Sequence, residues 1–116
     1  MSRIYLSGPI SDNPDYKKDF LRAEKSLVMR FSDKDWIYSE IINPVRVAGA
    51  LPVSFSYEDY MTIDMILLTK CDAIYMISGY EKSKGALAEL LMAKSMGLEI
   101  YYESEEQENG EQEKNH

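Results

Sequence analysis

Apolar positions along this chain recur in two rhythms. Residues 3–7 form a short, nearly continuous apolar run that stops at Gly8-Pro9, which predicts a buried strand. Asp12-Asn13-Pro14 then reads as a helix start, with Asn13 as N-cap and Pro14 at the first helical position. Tyr16, Phe20, Ala23, Leu27 and Phe31 follow at helical spacing and predict one buried face. After a polar turn at 32–35, residues 36–42 predict a second strand ending at Asn43-Pro44. Residues 45–56 hold no sustained period and are expected to be a loop, long for a domain of this size. Residues 57–70 return to helical spacing, with Tyr60, Ile63 and Leu67 flanked by Met61, Met65 and Leu68. Residues 73–77 are the clearest buried strand. Gly79 opens a turn, Ser83 is the expected N-cap of a helix running to about Met96, Gly97 is its C-cap, and 98–102 form a last strand.

Strands alternating with helices at this spacing imply βαβ units. The expected fold is α/β, a flavodoxin-like or Rossmann-like three-layer arrangement with a parallel sheet of four or five strands, in order 2-1-3-4. Ligands of such sheets sit beyond the carboxyl ends of the strands, at the switch of strand order. That places a site at residues 7–10, after the first strand, and at 78–89, after the third. The domain is expected to span 1–102, and 103–116 to form an acidic, disordered tail.

Charge supports that division. Of the net −7, the tail contributes −5, six acidic residues against Lys114 alone, and the body keeps −2. With no basic stripe, duplex nucleic acid is not an expected partner. No apolar run approaches the roughly 20 residues that span a bilayer, and the chain enters Ile4-Tyr5-Leu6 too early for a secretory leader. No membrane association is therefore expected. A lone cysteine, Cys71, forms no internal disulfide and suits a reducing compartment, so a cytoplasmic address is expected. At 116 residues, with 45% hydrophobic content, one core is affordable but small. A homo-oligomer would bury more.

Candidate chemistry narrows by elimination. His116, the only histidine, is the last residue, which excludes a catalytic histidine and a His-rich metal site. Neither GxGxxG nor GxxxxGK[ST] occurs. No metal and no cofactor are implied, leaving carboxylates, hydroxyls and backbone N–H groups. Glu89 stands in one of the least polar stretches, past the expected N-cap and near the small residues Gly85 and Ala86, where a ligand would find room. It reads as a site carboxylate or as an ordinary solvated helix residue. Asp64, a lone charge among apolar residues, reads as an acid of raised pKa or as one exposed turn of an amphipathic helix. Tyr5 reads equally as strand core, Cys71 as an inert core thiol, and Asp72 as a strand-end cap.

Ile4-Tyr-Leu-Ser-Gly-Pro9, Asn43-Pro44, Asp64 followed by Cys71-Asp72-Ala-Ile-Tyr75, and Gly85-Ala-Leu-Ala-Glu89 together resemble the nucleoside 2-deoxyribosyltransferase superfamily, in its DUF4406-type branch. The likeness runs from about Arg3 to Tyr102. It implies that Glu89 is a nucleophile attacking the anomeric carbon, that Tyr5 orients it, and that Asp64 contacts or protonates the departing base. Ser7, Gly8, Pro9 and Ile10 would line the sugar pocket. Gly85 belongs to the nucleophile's motif. Ser83 stands where the transferases carry aspartate and the nucleotide N-glycosidases a serine that helps hold a 5′-phosphate, and Lys82 and Lys84 flank it. The implied activity is cleavage or exchange of the N-glycosidic bond of a (deoxy)nucleoside or nucleoside 5′-monophosphate: with water the protein is a hydrolase, with a second base a transferase. A catalytically silent nucleotide-binding or sensing module is the alternative, and an assembly partner with Glu89 packed at an interface a third.

Overall fold

Residues 3–7 are buried after the first because both faces of their strand are covered, and the layers that cover them define the molecule. A computed structural model describes residues 2–105. In chain order it contains β1 (Arg3–Ser7), α1 (Tyr16–Met29), β2 (Glu40–Ile42), α2 (Pro44–Gly49), α3 (Tyr57–Thr69), β3 (Ala73–Met76), α4 (Lys84–Ser95) and β4 (Glu99–Tyr102), with single 3₁₀ turns at Arg30–Ser32 and Tyr80–Lys82. The four strands are all parallel, in the order β2-β1-β3-β4. This is the α/β three-layer fold expected, with four strands among the described residues. No described helix is long and apolar enough to cross a membrane.

Strand alternation assigns the two faces. Ile4, Leu6, Ala73, Tyr75 and Ile77 meet Phe20, Ala23 and Leu27 of α1 on one side. Tyr5, Ile74 and Met76 meet Leu68, Ala86, Leu90 and Ala93 of α3 and α4 on the other. Helix ends follow their local chemistry. Ser56 and Asp59 form a reciprocal capping box at α3. The Ser83 side chain accepts from Ala86 N at α4, and Gly97 takes φ +74 just past the end of α4.

Four expectations change. The helix after β1 starts at Tyr16, because Asn13 uses its side chain earlier: Oδ1 accepts from Asp15 N at 3.1 Å and Nδ2 donates to Pro9 O at 2.9 Å. Phe31 leaves the buried stripe and is 43% exposed, since the chain tightens from α to 3₁₀ after Met29 and rotates it away. The second strand is only three residues long. Residues 36–39 cross the sheet face instead: Tyr38 and Tyr101 both donate to Glu99 Oε2, at 2.6 and 2.8 Å, and Trp36 packs edge-on against Tyr38 with ring centroids 5.0 Å apart. This aromatic strap does on the α1 side what a second helix does on the other. Finally, the expected loop 45–56 begins with a helix, α2, capped by Asn43 and started by Pro44.

The tail boundary also gains detail. Glu103, grouped with the tail by charge, is buried: it takes two hydrogen bonds from the Arg22 guanidinium, at 2.9 and 3.2 Å, and one from Ser78 N at 3.1 Å. Residues 106–116, the rest of the expected disordered tail, lie outside the described residues.

Candidate functional site

A strand puts residues i and i+2 on one face, so Tyr5 and Ser7 both point at α4. α4 turns Ala86, Glu89, Leu90 and Ala93 toward them, an i, i+3, i+4, i+7 stripe on which Glu89 is the only charge. The two elements meet at that carboxylate. Tyr5 donates its hydroxyl to Oε2 of Glu89, and Ser7 donates to Oε1 at 2.7 Å. Glu89 is 6% exposed, and Tyr5 and Ser7 are fully buried behind it. Among the described hydrogen bonds it has no cationic partner; two neutral hydroxyls alone hold it.

A cavity of about 720 Å³ opens on the front of Glu89, beyond the carboxyl ends of β1 and β3. The β1–α1 loop supplies Gly8, Ile10 and Asp12, the last with φ +60. The start of α4 supplies Ser83, Gly85 and Ala86, with Lys82 and Lys84 beside them. α3 supplies Tyr57, Tyr60, Met61 and Asp64, which share one side of that helix. α2 closes the remaining side with Pro44, Val45, Ala48 and Gly49.

Electrostatics follow from burial. Desolvation pushes Glu89 up to about 7, against the Tyr5 and Ser7 hydrogen bonds that pull it down, with the Asp64 charge pushing it up further. Burial alone pushes Asp64 up to about 6. The Tyr5 phenol lies far above its ordinary value, through burial and the neighbouring Glu89 carboxylate, so it remains a donor. Burial likewise raises Cys71, to about 11, and its Sγ donates to Leu67 O, which makes it a quiet core thiol. Such a site offers a carboxylate, a second acid and apolar walls. Among the described residues no cluster of His, Cys, Asp and Glu is arranged to hold a metal.

The residues singled out by sequence are thus gathered, with three differences in placement. Ser7 is not in the cavity wall; it supports Glu89 from behind. Pro9 is outside the wall too, its carbonyl accepting from Asn13 and its ring 3.6 Å from where a Cβ on Gly79 would stand. Ser83 lines the cavity, but its oxygen already caps α4. Gly8, Ile10, Gly85, Asp64 and Glu89 all face the cavity. One of these glycines is needed for close approach. A Cβ on Gly8 would meet Ile77 Cβ at 2.8 Å, whereas one on Gly85 would make only ordinary contact, with the Tyr57 hydroxyl at 3.4 Å and Met61 Sδ at 3.5 Å. Gly8→Ala is accordingly expected to destabilise the fold by about 1–3 kcal/mol, read from the urea midpoint, because backbone or Ile77 must shift.

Sequence reasoning missed Tyr16, Tyr57, Tyr60 and the whole α2 wall. The signal for α2 was available: Asn43-Pro44 is the N-cap and first-position pair that was read at Asn13-Pro14. The signal for Glu89 was the stripe 86, 89, 90, 93, which separates a buried glutamate from a solvated one.

Comparison with known proteins adds the following. The model of a family described as "Domain of unknown function (DUF4406)" matches residues 2–102. No curated protein matches the chain. Among solved structures, a 2-desoxiribosyltransferase from Leishmania mexicana is similar in fold, with 18% identity and a TM-score of 0.57. The match covers 88% of this chain and 63% of that one, so this chain spans less than two thirds of that structure's length.

Proposed function

We propose that this chain, which belongs to the DUF4406 family, cleaves or exchanges the N-glycosidic bond of a (deoxy)nucleoside or nucleoside 5′-monophosphate through an ester on Glu89. One observation carries the reading. A buried carboxylate that is bonded by Tyr5 and Ser7 and lines the same cavity as Asp64 supports the role of a nucleophile over that of a structural charge.

The steps balance without a cofactor. A Glu89 oxygen attacks C1′ as the C1′–N bond breaks, and that electron pair leaves on the base nitrogen. Asp64, when protonated, gives the base its proton. Tyr5 and Ser7 fix the attacking carboxylate, and both bonds persist when it is ionised. Water then attacks C1′ of the ester and frees Glu89, or a second base does so in exchange. Tyr57, Tyr60 and Met61 suit a planar base, which needs flat apolar walls. Lys82 and Lys84 beside the N-terminus of α4 suit a 5′-phosphate, through charge and backbone N–H groups. Ser83 aids that reading by leaving no acidic side chain there, and water is the favoured acceptor.

The test is base release, followed by chromatography, from a panel of deoxynucleosides and their 5′-monophosphates. Release that vanishes in Glu89→Ala supports the reading, and a preference for monophosphates supports the phosphate assignment. Asp64→Asn is expected to slow release about 10²-fold, the usual loss for a general acid. Efficient base exchange indifferent to the 5′-phosphate would overturn the hydrolase assignment.

A silent nucleotide-binding module is the second reading, favoured by one feature: burial pushes Glu89, the group to be ionised, up to about 7. Nucleotide binding that survives Glu89→Ala, with no turnover in the unaltered protein, would establish it. We also infer self-association and a cytoplasmic address. Leu87 and Leu91 on α4 and Ile66 on α3 stand 43%, 70% and 56% exposed, apolar surface that a second copy would cover. Light scattering of the eluted protein decides that point.

A further inference from the structure

The cavity wall formed by α2 is the least self-sufficient part of the site. A six-residue helix is far too short to persist by its own hydrogen bonds, and its inner side lines the cavity, with Pro44 buried and Val45 packed against the core on the α1 side. Contacts from outside the cavity must hold the rest of it. Glu24, two turns along α1 from Tyr16 and Lys17, which also line the cavity, is the one acidic side chain bonded to it among the described residues. Its carboxylate accepts from Arg46 Nε at 2.9 and 3.0 Å and from Arg46 Nη2 at 2.7 Å, a forked arrangement that fixes direction as well as distance. The same carboxylate is 3.5 Å from Asn43 Nδ2, while Asn43 Oδ1 caps the helix by accepting from Val45 N at 3.0 Å. One carboxylate therefore touches both the cap and the second turn of α2.

We infer that Glu24 and Arg46 are positioning residues that hold α2 in place as a wall of the cavity and so set how tightly a substrate is gripped. Neither residue lines the cavity, and neither reaches Glu89. The inference rests on the proposed reaction only for its kinetic arm. Exposed ion pairs add little to global stability, and the Arg46 side chain is 65% exposed, so the effect is expected locally, where a short element opens and closes on its own.

Two arms test it, with Glu24→Gln and Arg46→Met. In the first, amide hydrogen exchange is followed without ligand. Protection over residues 45–49 is expected to fall about tenfold, with β1, β3 and α4 unchanged. Unchanged protection over 45–49 overturns the inference, and so does an equal loss across the sheet, which would mark a global role. In the second, KM is measured with whichever deoxynucleoside 5′-monophosphate releases most base. KM is expected to rise about fivefold, with kcat within twofold and the pH profile unmoved. Lost protection with an unchanged KM overturns the positioning role. Should the unaltered protein release no base from any nucleotide, the proposed reaction fails, while the exchange arm still decides whether Glu24 and Arg46 hold the wall.

Discussion

Base release by Glu89→Gln is expected to be at least about 10³-fold slower than by the unaltered protein, with the fold intact, because the amide keeps the shape of the carboxylate but cannot form the ester. The pH dependence of the unaltered protein is the sharper check. Attack needs Glu89 ionised, and departure of the base needs Asp64 protonated. Burial pushes Glu89 to about 7 and Asp64 to about 6, so the two titrate over the same range and share their last proton. The profile is expected to be a narrow bell with its maximum between pH 6 and 7. Ser7→Ala removes a hydrogen bond that pulls Glu89 down, which moves the maximum of the bell to higher pH. Asp64→Asn removes the group whose ionisation causes the alkaline fall, so the rate should rise with pH and level off. A rate flat from pH 5 to 9 would end the nucleophile assignment.

Glu89→Gln is also expected to make the folded protein more stable at pH 8, by about 3 kcal/mol. Folded Glu89 sits near 7, against an ordinary value of 4.5. Between those values the folded chain holds a proton that the unfolded chain has released, so stability falls as pH rises through this window. Below pH 4.5 the carboxyl is neutral in both states and the penalty is absent. Above pH 7 it is complete, at about 1.4 kcal/mol per unit of displacement. Glutamine carries no proton to lose. The gap between Glu89→Gln and the unaltered protein should therefore open from near zero at pH 4 to its full size at pH 8, read from urea midpoints at constant slope. Asp64 adds a loss of the same sign through about 6, but it is present in both proteins and drops out of the difference. A gap that stays constant with pH would mean that Glu89 is not held in a desolvated place. An increase of this kind marks a group kept for chemistry at the expense of the fold.

Much of the architecture was legible because each signal was local. The apolar runs of β1 and β3, the Ser83 cap and Gly97 each depend on a few neighbouring residues, and the strand order followed from alternating elements. What was not legible depends on partners far along the chain. Residues 36–39 have the composition of a strand, but Tyr38 finds Glu99 sixty-one positions away and the backbone follows it across the sheet. Phe31 kept the helical spacing while the helix beneath it tightened. The site divides in the same way. Composition left Glu89 open between solvent and pocket, and the resemblance to the transferases linked it to Tyr5. Only the register of β1 against α4 brings two hydroxyls onto it, and no pattern within either segment reports that. The tyrosines of α3 were read as a packing face, because a wall lined for a flat ligand and a core face use the same residue types.

Glu103 has a practical bearing on where this protein can be cut. By polarity the folded unit ends at Tyr102, yet the next side chain grips Arg22 and the amide of Ser78, at the head of the turn that leads into α4. A chain stopped one residue short would leave that amide without its acceptor and that guanidinium with Asp19 alone, and the slackened turn carries Lys82 and Ser83. The charged residue that looks like the first of the tail is stitched into the domain.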